Sequence, residues 1–527
     1  MLFAPHGRQA LLFGAFVASS LLAAVKFSRD TPPITTVSDI AVIELYTDLA
    51  TKGRLLVGPY SRFGWHHPGP MYFYLQAPMY ALSGHKAAAL YAGALTINLG
   101  ALILLTLAIA RENRGWLLVL VPAAAVVFAW RSPRFLASPW TAHVAVLPLA
   151  SFVALCAATA SRRPTLLPLT LAVGSFVAQT HHEFAPVVGT LSAATIAALL
   201  AAHTEHNQSI KPTLAAAASL CVLLWLFPIG EALSHAGGNV AALWHFFVAE
   251  GRQAHTFREA VTAWSYGLSG VFRTDFTLPW GGHFVPGSSW WVVACSLIGV
   301  LLLPVIALTD LKAGRRFEAC LAIAAFVACG SGLWTLTRVR DDILDHEIFW
   351  LSAFGPINAA IIGAAVLRAL GARRTGWKWG SRPAVAGAIL TVFLGAAIGL
   401  RDLQNFATYE LTRLDRRRIV AAYSSIHDYL RDRGIRKPLI EIDEAVWSQA
   451  AGVLVKLQRD RTAFALPADA LPLFTDSFAA NGVEDAQISI ASRVRHRQLM
   501  TRPDNTVVFE SDPVYIDAIR AARAQVR

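Results

Sequence analysis

The sequence predicts a polytopic α-helical membrane protein with a small soluble α/β domain at its C-terminal end. Three observations predict it. Of 527 residues, 55% are hydrophobic and only 15% are charged, giving a mean hydropathy of +0.47. Apolar runs of about 20 residues recur along the chain, and the composition changes character near residue 401. So few charges could not cover so much apolar surface in water, which excludes a disordered chain, a collagen, a coiled coil and a soluble enzyme.

A hydrocarbon core roughly 30 Å thick takes about 20 apolar residues as a helix, because lipid offers no partner to a backbone N–H or C=O. Such runs lie near 10–27, 87–110, 115–131, 141–160, 165–181, 184–202, 213–233, 289–309, 318–337, 348–369 and 383–400, about eleven in all. The first follows Arg8 and reads as a retained anchor, being long for a signal-peptide core and poor in cleavage signal. The aromatic stretch 69–83 is too short to span and suits a helix lying in the interface.

With the N-terminus inside, the short loops carrying Arg111, Arg114, Arg162, Arg163, Lys211, Lys312, Arg315, Arg316, Arg368, Arg373, Arg374, Lys378 and Arg382 are cytoplasmic. Nearly all of the +12 net charge then lies on that side. It is an orientation signal, and no nucleic-acid partner is expected. The arrangement gives a multi-pass membrane protein whose C-terminal domain is external.

Residues 401–527 are denser in charge and form the expected external domain; residues 1–400 form the transmembrane domain. Pro438–Ile442 and Asn505–Phe509 read as strands, and 414–433 and 445–460 as helices. No GxGxxG or GxxxxGK[ST] marks a nucleotide site. The five cysteines are scattered in apolar runs, without zinc-ligand spacing or an even number for a disulfide framework.

The polar chemistry gathers in two long external loops, about 28–86 and 234–288, and at external span ends. In the first, 38–50 reads as a helix with Ser38 as N-cap, Asp39 in its first turn, and Glu44 about 140° round from Asp39. The following stretch is stiffened by Gly58, Pro59, Gly64, Pro68, Gly69 and Pro70 and carries Tyr60, Arg62, His66 and His67, donors suited to an anionic head group. Elsewhere His181, His182 and Glu183 close the fifth span, Arg258 lies in the second long loop, Arg338 and Arg340 follow the ninth span, and Asp345, His346 and Glu347 precede the tenth. A structural reading, as helix-end charges and an aromatic belt, stands beside the functional one for each.

This pattern resembles the GT-C glycosyltransferases, in the branch of protein O-mannosyltransferases and aminoarabinose transferases. The resemblance rests on an acid in a long first external loop, a His-Pro turn followed by aromatics, polar groups confined to external span ends, and a soluble terminal domain. Asp39 matches the family's Asp, Ile40 stands where the family has Glu, and His67-Pro68-Gly69 stands where it has Lys/His-Pro-Pro. The resemblance implies transfer of a sugar from a polyprenyl-phosphate carrier to a lipid, glycan or protein acceptor. Asp39 would be the base, with Glu44 as candidate second acid, and His67 would lie near the carrier phosphate. Arg62, His66, Arg338 and Arg340 are added on physical grounds, since a departing phosphate needs fixed donors. No cofactor is expected and no obligate metal, because the first loop has no DxD, although some GT-C branches use a divalent ion. A transporter or flippase of a lipid-linked glycan is the alternative; it should carry charges near mid-span, which are scarce here. A membrane scaffold would leave the stiff 58–74 segment unexplained.

Overall fold

The computed structural model describes residues 22–519, apart from positions 114, 162, 207–209, 235–237, 247–254, 286, 288, 340, 341, 374–380 and 413. The expected first span therefore lies mostly outside the described residues, as does Arg340. The chain divides into two compact units, one of residues 1–93 with 404–527 and the other of residues 94–403.

In the first unit the first long loop and the C-terminal segment pack as one body. The helix Ser38–Thr51 is buried all round from Ile40 to Ala50, with Glu44 and Asp48 among the enclosed side chains. It packs on the helix Met71–Leu82 and on the helix Trp447–Arg459. Its N-cap is Val37, with no side-chain cap. Ser38 is instead the first helical residue, at φ +53°, so it does not fill the capping role its type suggested.

Strands β1 (Pro438–Ile442), β2 (Ala486–Ala491), β3 (Asn505–Ser511) and β4 (Val514–Ile519) form one sheet in the order β1-β2-β4-β3. β1 and β2 are parallel, with Ile440 opposite Ile488. That pairing requires a crossover, which Trp447–Arg459 supplies. β4 is antiparallel to both its neighbours, and the helix Leu414–Arg433 packs on β3, β4 and the crossover helix. Gly452 has a steric reason: a Cβ there would lie 2.6 Å from the Thr36 carbonyl oxygen, so only glycine admits the segment that leads into the Ser38–Thr51 helix.

The second unit is helical. Along the described chain seven helices are long and apolar enough to cross a membrane: Ala88–Glu112, Thr141–Ala160, His182–Ala202, Trp290–Lys312, Arg316–Leu336, Asp345–Gly371 and Arg382–Tyr409. Lys211–Leu224 and Leu226–Ser234 make an eighth candidate if the pair, bent by 53°, is one span. The expected spans near 115–131 and 165–181 are helices too, but Trp116–Arg131 has 16 residues and Leu167–Thr180 only 14.

The burial pattern is that of a membrane protein. Thr141–Ala160 is wholly enclosed by its neighbours, whereas Trp290–Lys312 buries 17% of its apolar window. Ile298, Leu301, Val305 and Leu308 on the latter are each more than half exposed. In water such an apolar face would cost about 25 cal/mol per Å²; against lipid it costs nothing. The chain is a polytopic helical membrane protein.

Candidate functional site

The site begins with the stiff segment of the first loop. His67 N–H donates to the Pro59 carbonyl at 2.7 Å and Ser61 N–H to the Trp65 carbonyl at 2.8 Å, while Tyr60 and His66 form a bridge pair. The segment thus closes on itself as a tight double-back. Gly58 makes this possible, since a Cβ there would come within 2.5 Å of the His67 carbonyl oxygen. Gly64 turns the tip at φ +80°.

This fold sets the polar groups. Tyr60 donates its hydroxyl to Asp39 Oδ1 in the first turn of the Ser38–Thr51 helix, and the Trp447 ring meets the Tyr60 ring edge-on at 6.2 Å. Burial, then the charge of Asp39, raises the Tyr60 phenol well above its ordinary value. It therefore stays an O–H donor at any physiological pH, and its bond favours the ionised carboxylate. Asp39 is partly exposed, so a carboxylate oriented by a neutral donor lies at the surface of the unit.

His66 faces Tyr46, its Nε2 lying 3.2 Å from the phenolic oxygen. Burial lowers its pKa to about 4, so the ring is neutral near pH 7. His67 is buried, with the Trp65 ring edge-on at 5.6 Å. Arg62 is exposed, its guanidinium 4.7 Å from the Phe63 ring centre.

Glu44 has a different environment. Its side chain is 1% exposed. Thr36 Oγ1 donates to Oε2 at 2.7 Å, Tyr80 donates to Oε1 at 2.8 Å, and Arg459 Nε donates to Oε1 at 2.7 Å. Arg459 Nη2 reaches the same oxygen. Both oxygens are occupied within the protein, which makes Glu44 the anchor of the first-loop helix on the Trp447–Arg459 helix. One turn on, Asp48 accepts from Lys52 at 2.5 Å and from Gln458 at 2.7 Å, with His85 Nδ1 at 3.1 Å. Arg459, Gln458 and Trp447 escaped the reading of the sequence. They lie about four hundred residues from the carboxylates and phenol they meet, and no local motif marks them.

In the second unit His181, Glu183 and His346 come together, with one ligand atom from each lying within 4.8 Å of the others. His182 is partly exposed, its ring stacked 5.4 Å from that of His181. Arg258 is exposed and lines an open cavity of about 610 Å³ with His255, Glu259, His283 and Asp342. Arg338 is exposed, its guanidinium 5.4 Å from the Trp334 ring centre.

Neither a protein-family model nor a curated protein matches the chain by sequence. Solved structures do match it. ArnT from Cupriavidus metallidurans bound to undecaprenyl phosphate aligns over 98% of this chain and 99% of its own, with a TM-score of 0.52 at 10% identity. The same protein in its apo state aligns over 97% and 98%, with a TM-score of 0.51 at 11% identity. At such identities the likeness is one of fold, and over nearly its whole length the chain has the fold of ArnT.

Proposed function

We propose that the protein is a membrane glycosyltransferase that takes a sugar from a polyprenyl-phosphate carrier and gives it to a lipid, glycan or protein acceptor at the external face of a bacterial inner membrane. The observation that carries this reading is the Asp39–Tyr60 pair on the closed first loop, in a chain whose fold matches a protein solved with undecaprenyl phosphate. Asp39 orients the acceptor hydroxyl or amine and takes its proton as the nucleophile attacks the anomeric carbon. Tyr60 holds the carboxylate in its ionised, aimed form. A single displacement inverts the anomeric centre. The leaving carrier phosphate gathers charge as the bond breaks, and His67, Arg62, Arg338 and Arg340 are the donors proposed to meet it.

In this reading about eleven spans make up residues 1–400, the N-terminus is cytoplasmic and 401–527 lie outside. Glu44 acts as the anchor of the catalytic helix.

The test is release of free undecaprenyl phosphate, with sugar appearing on acceptor, by the purified full chain in proteoliposomes supplied with undecaprenyl-phosphate sugars and total envelope lipid. Asp39→Asn should lower turnover by about 10²–10⁴ while the protein stays monodisperse in detergent. Turnover retained in that variant removes Asp39 from the mechanism. Movement of intact sugar-carrier across the bilayer with no transfer would make the protein a flippase.

A further inference from the structure

We propose that the sheet of the first unit carries, beside the helix Arg493–Leu499, a binding site for a neutral saccharide. The site lies within that unit and stands independently of the transfer chemistry assigned to Asp39. Its floor follows from strand register. Side chains alternate across a sheet, and the pairing sets Glu441 of β1 next to Ser489 of β2, with Asp517 of β4 beyond it. All three share one face, while Ile440, Ile488 and Ile490 turn to the other and are fully buried.

The helix Arg493–Leu499 covers part of the polar face, packing on β4 and β2. His496 and Leu499 are its buried residues. His496 Nδ1 lies 2.9 Å from Asp517 Oδ2, and the His496 ring is stacked 4.6 Å from that of Tyr515. The helix is thereby fixed, and Arg495 and Gln498, three apart and so neighbours on its surface, are exposed. Beside it lies an open cavity of about 590 Å³, a size usual for small-molecule sites. Glu441 and Ser489 line it from the sheet, Arg495 and Gln498 from the helix, and Asp469 from a loop.

The polar groups of the cavity await a partner. Ser489 is 2% exposed, yet its hydroxyl has no hydrogen-bond partner among the described residues. A hydroxyl so enclosed costs free energy until something bonds it. Glu441, half-buried beside it, has no hydrogen-bond partner among the described residues either. Asp443, at the end of β1, also lines the cavity. It accepts from the N–H groups of Ala445 and Ser492, each at 3.1 Å, which fixes the carboxylate and leaves each oxygen a second lone pair.

The lining selects the class of ligand. Three carboxylates against one guanidinium repel phosphate and other anions. Among the described residues these carboxylates do not bring their oxygens within 4.8 Å of one another, as a metal site requires. Carboxylates that accept, a guanidinium that donates, and an amide and a hydroxyl that do both match a ligand whose every hydroxyl donates and accepts. That ligand is a sugar, and Val494 and Pro467 supply apolar contact for its C–H groups.

The experiment places the full chain in lipid nanodiscs, free of glycoside detergent, and records saturation-transfer difference NMR with glucose, galactose, mannose and maltose at millimolar concentration. At least one of these sugars should receive saturation from the protein. Arg495→Ala and Glu441→Gln should each weaken its binding by about tenfold or more, as loss of a charged hydrogen bond does. Arg497→Ala, an exposed change on the same helix outside the cavity, should not. Because Glu441 is half-buried, the deciding variant is the exposed Arg495→Ala. No saturation of any of the four sugars, parental affinity in Arg495→Ala, or displacement of the sugar by inorganic phosphate overturns the proposal. Sugar binding without sugar transfer supports this site and removes only the transferase reading.

Discussion

At the scale of the residue, the neutrality of His66 has measurable effects. A half-buried ring with its pKa lowered to about 4 is uncharged near pH 7. It also ties stability to pH. In the unfolded chain the ring titrates near 6.5, so on acidification the unfolded state takes the proton first. The contribution is fully present above about pH 6.5 and is lost as pH falls toward 4, a difference of roughly 3 kcal/mol. The thermal midpoint of the full chain should fall across that window, and His66→Gln should flatten the fall; an unchanged slope would exclude His66 as its source. At this scale the sequence was partly legible. Helix arithmetic alone separated Asp39 from Glu44 by about 140°, and the two meet different partners, Tyr60 and Arg459. Ser38 was misread because its φ of +53° comes from the packed chain around it.

At the scale of the element, the first-loop helix is held by an ion pair and a hydrogen bond that bridge distant sequence. Arg459→Ala leaves the Glu44 carboxylate enclosed without its cation, and loss of one partner of a buried pair costs about 3–5 kcal/mol. The variant should show a lower calorimetric midpoint and earlier protease cleavage near residue 52. Combining it with Glu44→Gln should recover part of the loss. No recovery would mean that Arg459 acts through packing alone. The pair could not be read in advance, since its members are 415 positions apart. Strand β4 escaped for another reason. β4 is buried at every position in the middle of the sheet order, so VYIDAI lacks the alternation that marks a half-exposed strand. The helix expected at 414–433 coincides with Leu414–Arg433.

At the scale of the whole molecule, the membrane class was the most legible feature, because lipid imposes one length on every crossing helix. The expected orientation is testable. Reporter fusions after residues 115, 205 and 400 should report cytoplasm, cytoplasm and periplasm. A cytoplasmic signal after 400 would sink the proposed arrangement. What hydropathy could not give was the partnership of the two ends of the chain, residues 1–93 with 404–527, in one compact unit. That partnership sets a schedule for biogenesis. Glu44 emerges from the ribosome 415 residues ahead of Arg459, and at about 5–20 residues per second the wait is roughly 20–80 s. Throughout that interval the Ser38–Thr51 helix, buried from Ile40 to Ala50 in the folded protein, has no Trp447–Arg459 helix to lie against. The nascent first loop is the part of this protein most in need of a chaperone.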